Sequence, residues 1–140
     1  MIMKRIVSLF FALFIFVLSS CSVTDDEPDY YFIPLQVVSA ELPQSFMLHE
    51  TYEIKVTYVL PNGCASFEGF DVTPIAQTTR NVVPIGSQFD DPDCVDGGAE
   101  VEGSFNFVCL YTDTYLFRFW TGENESGEQE YLEFEVPVNQ

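Results

Sequence analysis

The chain has 140 residues, with 22 acidic and five basic side chains and a formal net charge of −17 at pH 7. Lys4 and Arg5 precede the first apolar run, so the segment from residue 21 onward sets 22 acidic groups against Lys55, Arg80 and Arg118, a net charge of −19 over 120 residues. Such a surface repels phosphate backbones and anionic headgroups, whose binding needs clustered Lys and Arg, and nucleic acid is excluded as a partner. The same charge serves solubility and self-repulsion at a crowded cell surface. A chain of this length suits one domain and buries about two-thirds of its unfolded surface.

The first element is a leader. Lys4 and Arg5 are followed by thirteen uncharged residues, Ile6 to Leu18, and then by Ser19, Ser20 and Cys21. A basic start, a short apolar stretch and small residues at its end have the order of a secretory signal peptide over residues 1–20. A membrane-spanning helix would need roughly 20 apolar residues, and this run stops short. Leu18-Ser19-Ser20-Cys21 resembles the lipobox of bacterial lipoproteins. That resemblance implies that Cys21 receives lipid, becomes the new N-terminus and holds the chain on the outer membrane. A single acyl chain binds marginally, at about 0.8 kcal/mol per CH₂, and several chains hold firmly. The alternative is a secreted protein cut at the same place, with Cys21 an unmodified thiol.

Residues 21–30 follow as a tether. Ser22 to Asp29 is polar, acidic and interrupted by Pro28, a composition that favours a flexible segment. An acidic cluster directly after a lipidated cysteine resembles the surface-export signal of Bacteroidota-type lipoproteins, in which Asp25, Asp26 and Glu27 would direct export. The alternative is a solvated acidic linker.

From residue 31 to 140 the hydrophobic period is two. Tyr52, Ile54, Val56, Tyr58 and Leu60 alternate with Glu53, Lys55 and Thr57, the pattern of a half-buried strand. Phe105, Phe107 and Cys109 share a face within 101–109, and Leu132, Phe134, Val136 and Val138 do so at the C-terminus. Further strands are expected over 32–40, 65–73, 80–89 and 115–120, making seven. Pro61-Asn62-Gly63, the acidic 90–98 segment and Gly122 to Gly127 separate them as turns. Short strands spaced by turns, without helical periodicity, predict an all-β domain in two layers.

An immunoglobulin-like, seven-stranded β-sandwich is the expected architecture. Asp113-Thr114-Tyr115 resembles the tyrosine corner of such sandwiches, where the Tyr hydroxyl bonds back to nearby backbone; the alternative is an ordinary strand aromatic. Two features depart from a strict immunoglobulin pattern. The second strand has no cysteine, and the one tryptophan, Trp120, lies on the sixth strand rather than the third. Leu60-Pro61-Asn62-Gly63-Cys64, with Phe67 and the Tyr115 to Gly122 run, is similar to small Bacteroidota surface lipoproteins, a resemblance that carries no activity with it.

Cys64, Cys94 and Cys109 remain after Cys21. In an oxidising compartment one pair closes and one thiol is left. Cys64 follows a turn and Cys94 lies in a loop, whereas Cys109 shares the face of Phe105 and Phe107, so Cys64 with Cys94 is the expected bridge. Pairings of Cys109 with either remain open, since connectivity does not follow from sequence. The thiols have no Cys-x-x-Cys spacing or neighbouring His for a zinc site.

Catalysis is not expected. His49 is the only histidine, it reads as a surface turn residue before the second long strand, and no Gly-x-Ser-x-Gly elbow accompanies it. Carboxylate pairs carry little signal in so acidic a chain. Two binding candidates stand out. Asp90, Asp91, Asp93 and Asp96 offer hard oxygen ligands for Ca²⁺, although their spacing does not match an EF-hand, and the alternative is a solvated loop. Trp120 and Arg118 alternate with Tyr115, Phe117 and Phe119; if the latter face is core, Trp120 and Arg118 point outward for a sugar ring or a protein partner. The alternative is that Trp120 packs under the following hairpin. Together these readings describe a lipid-anchored, surface-exposed, non-catalytic binding or accessory domain with an envelope protein or glycan as partner; the alternative is a structural coat protein without a specific ligand.

Overall fold

The computed structural model describes residues 29–139. The expectations for the signal peptide, for Cys21 and for Asp25, Asp26 and Glu27 fall on residues outside that range. The described residues form ten strands, β1 (Tyr30–Pro34), β2 (Val37–Glu41), β3 (Phe46–Met47), β4 (Thr51–Asn62), β5 (Ala65–Pro74), β6 (Thr79–Phe89), β7 (Asp96–Val108), β8 (Tyr115–Glu123), β9 (Gln129–Val136) and β10 (Val138–Asn139). Among them no helix is long and apolar enough to cross a membrane.

Strand β6 is the hub of a five-stranded sheet. Along one edge it pairs antiparallel with β5. Along the other it pairs antiparallel with β1 over residues 85–89 and parallel with β8 over residues 79–82; β9 then closes that side against β8. A second sheet has the order β2-β4-β7, all antiparallel. The short β3 and β10 form a parallel pair at one end. The protein is all-β with open sheets around one core, consistent with a β-sandwich.

The period-two pattern explains the core. Val37, Ile54, Val56 and Phe107 from the three-stranded sheet meet Val82, Tyr115, Phe117, Phe119 and Val136 from the five-stranded sheet, with Phe46 of β3 among them. Phe46 lies at 4.8 Å from Tyr52 and 5.2 Å from Phe107, measured between ring centroids. Truncating a ring such as Phe117 to Ala there costs about 3–5 kcal/mol. Tyr58 extends this packing, stacking on Phe67 at 4.7 Å, and its burial raises the phenol pKa above the usual value.

Tyr115 makes the contacts of a tyrosine corner. Its ring is fully buried, and its hydroxyl oxygen accepts the backbone N–H of Leu110 and of Tyr111, each at 3.1 Å. The corner thereby fixes the turn between β7 and β8, satisfying two backbone donors that neither sheet can pair.

The strand pattern departs from the expected seven at three places. The run 32–40 is two strands, because Pro34 has no N–H to donate and the chain changes sheets there. Leu35 N–H donates to the Pro84 carbonyl at 2.8 Å, and the Gln36 carbonyl accepts Val59 N–H at 3.0 Å, so consecutive residues serve opposite sheets. Strand β7 begins at Asp96 rather than Val101, because Gly97 and Gly98, read as loop, extend the pairing toward Asn62. Gly97 takes a φ of +123°, which a side chain would resist. Finally, β3 and β10 are too short to have a period, and Pro137 parts β10 from β9 while its carbonyl accepts Phe46 N–H at 2.9 Å.

Candidate functional site

The two outer faces of the molecule differ in chemistry. On the three-stranded sheet, Glu53, Lys55 and Thr57 of β4 stand beside Glu102, Ser104 and Asn106 of β7. That face is polar. Lys55 pairs with Glu102 at 3.9 Å, and Ser104 Oγ donates to Glu53 at 2.7 Å.

The outer face of the five-stranded sheet carries aromatic and aliphatic side chains among polar ones, with Ser66, Asp71 and Thr73 of β5 and Glu133 and Glu135 of β9 on the same side. Val82, Pro84, Gly86 and Gln88 of β6 are buried and face inward, and by alternation Asn81, Val83, Ile85, Ser87 and Phe89 face out, with Ser87 buried on that side against Glu68. Cross-strand register puts Tyr30 beside Phe89, Phe32 beside Ser87 and Pro34 beside Ile85. In β8 the buried residues are Tyr115, Phe117 and Phe119, leaving Leu116, Arg118 and Trp120 outward, with Arg118 level with Asn81. Tyr131 pairs with Trp120 on the same face.

Trp120 and Arg118 therefore lie on the outer face together, as the alternation implies. Both are half-buried and already engaged. The indole N–H donates to Gln129 Oε1 at 2.5 Å, at the base of the hairpin that Gly127 turns. Arg118 Nε donates to Glu133 at 2.7 Å while its guanidinium lies 4.2 Å from the centroid of Tyr131. With its charge shared between a carboxylate and a ring, Arg118 orders the Tyr131 side of the face more than it recruits an anion.

Three further aromatics join this face at its other end. Tyr30, Phe32 and Phe89 are 38%, 64% and 46% exposed. The Tyr30 ring meets Phe32 edge-on at 5.7 Å and Phe89 at 5.8 Å, forming a ridge. Tyr30 falls within the expected tether, and Phe32 and Phe89 fall in expected strands with no role assigned by their pattern. The run Tyr30-Tyr31-Phe32-Ile33 has no polar alternation, so nothing in it says which ring is left to solvent.

A cystine secures the loop beside that ridge. Cys64 and Cys94 are bonded, with Cα atoms 5.5 Å apart and a separation of 30 residues, the expected pairing. Asn62 Oδ1 accepts both Cys64 N–H at 2.9 Å and Gln88 Nε2 at 3.1 Å, and Gly63 N–H donates to the Val95 carbonyl at 3.0 Å. The end of β6, the β4–β5 turn and the 90–95 loop are thus one unit. Among the described residues Cys109 is the free cysteine, and it is fully buried. Burial pushes its thiol pKa up, against a smaller opposing effect of the Tyr111 carbonyl and the Tyr115 hydroxyl.

The calcium candidates do not assemble. Asp91 Oδ1 accepts the N–H of Asp93 at 2.8 Å, capping its own turn, and Asp96 belongs to β7, opposite Asn62. Among the described residues no three His, Cys, Asp or Glu side chains converge to hold a metal ion. His49 is exposed in a turn with φ +67°, and its backbone N–H donates to the Cys109 carbonyl at 2.7 Å. No family model matches the chain, and no curated protein or solved structure matches it.

Proposed function

We propose that the protein is a lipid-anchored, extracytoplasmic binding domain without catalytic activity, held on the outer membrane through Cys21 and engaging an envelope protein or glycan partner. The observation that carries this reading is where the rings lie: Trp120, Tyr131, Tyr30, Phe32 and Phe89 share one outer face, among carboxylates such as Glu133, and the outward positions of β2, β4 and β7 on the opposite face hold no ring. A coat protein without a ligand has no use for rings left in water, where each half-exposed aromatic forgoes burial that would stabilise the fold. Rigid aromatics on a strand scaffold are the residues that anchor partners, since they bring contact area at low entropic cost.

The immunoglobulin-like reading of the architecture belongs to the same proposal. The Tyr115 corner and the two packed sheets support it. The parallel β6–β8 pair is a variation of this chain, in which the β5–β6 hairpin lies beside β8.

Metabolic labelling with a clickable fatty acid, followed by cross-linking on intact cells, tests the proposal. The reading expects label on the native protein and none on a Cys21→Ala variant, with a cross-linked partner recovered only from the anchored form. An unlabelled native protein contradicts the anchor, and a labelled, surface-accessible protein without any adduct favours the coat alternative.

A further inference from the structure

The Tyr30–Phe89 ridge divides two clefts. On one side Asp29, Asp90 and Asp91, with Tyr31 and Pro92, line an open cleft of about 720 Å³. On the other side Ser66, Glu68 and Ser87 line a smaller cleft of about 250 Å³, where Ser87 Oγ donates to Glu68 Oε1 at 2.6 Å and fixes the carboxylate. Both clefts share Tyr30 and Phe89 as walls. Each therefore presents aromatic surface beside carboxylate oxygens.

Among the described residues no cation neutralises them. Lys55 is on the opposite sheet with Glu102, and Arg118 is held by Glu133 and Tyr131. Arg80 spends its guanidinium on the carbonyls of Ala76, Gln77 and Thr79, at 3.0–3.1 Å, closing the β5–β6 hairpin. The site thus repels anions, and a second copy of this strongly acidic chain is repelled with them.

We infer that this ridge docks an extended, arginine-bearing segment of a partner protein, with one guanidinium in each cleft and the chain crossing Tyr30 and Phe89. A guanidinium is the group that fits both kinds of wall. It is planar, it stacks on an aromatic face, and its fork of N–H donors matches a carboxylate. Two open clefts on either side of one ridge suit a chain better than a small amine, which would fill one and remain largely in water. The strands beneath hold the ridge rigid, and the Cys64–Cys94 bond pins the loop that carries Asp90 and Asp91.

This inference rests on the binding reading above and specifies its partner. The test is an NMR titration of the chain from residue 22 onward, intact in its described domain, with the peptide acetyl-Gly-Arg-Gly-Arg-Gly-amide. Saturable shifts are expected at Tyr30, Phe32, Phe89 and Asp90. The same peptide with citrulline in place of arginine should bind about tenfold more weakly or worse, since it keeps the shape and loses the charge. Phe89→Ala and, as a second variant at the most exposed ring, Phe32→Ala should each weaken binding several-fold while leaving the spectrum folded. Equal binding of the citrulline peptide overturns the inference. So does a shift pattern centred on the acidic hairpin of Glu123, Glu125, Glu128 and Glu130, which has charge without the ridge. If the peptide fails while cross-linking on cells still captures a partner through the aromatic face, the binding reading stands and only its basic occupant falls.

Discussion

Cys94, in the loop that sets Asp90 and Asp91 beside Phe89, is joined to Cys64. The bond closes a loop of 30 residues, and on the chain-entropy view it stabilises the fold by about 3–4 kcal/mol. A Cys64→Ala, Cys94→Ala double variant is expected to lose that amount in urea denaturation. Amide exchange over residues 90–95 should accelerate more than over β4 or β8, because the loop keeps few other ties. Uniform acceleration would mean that the bond serves the whole fold and not the ridge.

Removing the Tyr115 hydroxyl isolates the corner. Tyr115→Phe keeps the ring in the core and strands the Leu110 and Tyr111 N–H groups, so a loss of about 1–3 kcal/mol is expected. The check is the denaturation midpoint at unchanged slope. A loss below 0.5 kcal/mol, on the order of an exposed surface change, would reduce Tyr115 to a packing residue.

Cys109 and Tyr58 make stability depend on alkaline pH. Both have folded pKa values raised by burial, from ordinary values of 9.0 and 10.0. Above those values the unfolded chain releases protons that the native state retains, so stability is present in full below about pH 9 and is lost as pH rises through the folded values. Cys109→Ala should remove the earlier part of the fall and Tyr58→Phe the later part. Native protein at pH 9 should resist a thiol reagent that labels Cys109 after unfolding; ready labelling in the native state contradicts the burial.

His49 tests backbone conformation without touching the core. At φ +67° a side chain is disfavoured by roughly 1–2 kcal/mol. His49→Gly is expected to be neutral or to stabilise by up to about 1 kcal/mol, and His49→Val to destabilise by about 1–2 kcal/mol. Thermal unfolding of the two variants measures the difference, and equal midpoints would place the turn in another conformation in solution.

The strand with strict alternation was legible from sequence, because Glu53, Lys55 and Thr57 around Ile54 and Val56 declare a buried face; over 115–120, where Leu116 and Trp120 flank Phe117 and Phe119, the pattern left the core face open. The bridge was legible only in part: Cys109 kept step with Phe105 and Phe107, which made Cys64 with Cys94 the expected pair, and the pairings with Cys109 stayed open until the structure joined Cys64 to Cys94. What stayed hidden depends on pairing across the chain. Nothing local to Pro34 reveals that Leu35 and Gln36 serve different sheets, and nothing in Phe46-Met47 reveals a partner at Val138. The aromatic ridge was hidden most deeply. An apolar run such as Tyr30 to Ile33 looks the same whether one face is covered or open, and Phe89 meets Tyr30 only once β1 lies against β6.

The central claim is that the outer face of the five-stranded sheet binds a partner and the opposite face does not. A photo-cross-linking amino acid placed singly at Phe32, Trp120, Ser104 and Asn106, in cells that display the protein, tests it most directly. Adducts from Phe32 and Trp120, with none from Ser104 and Asn106, are the expected result. Adducts from Ser104 and Asn106 alone, or equally from all four positions, would contradict it.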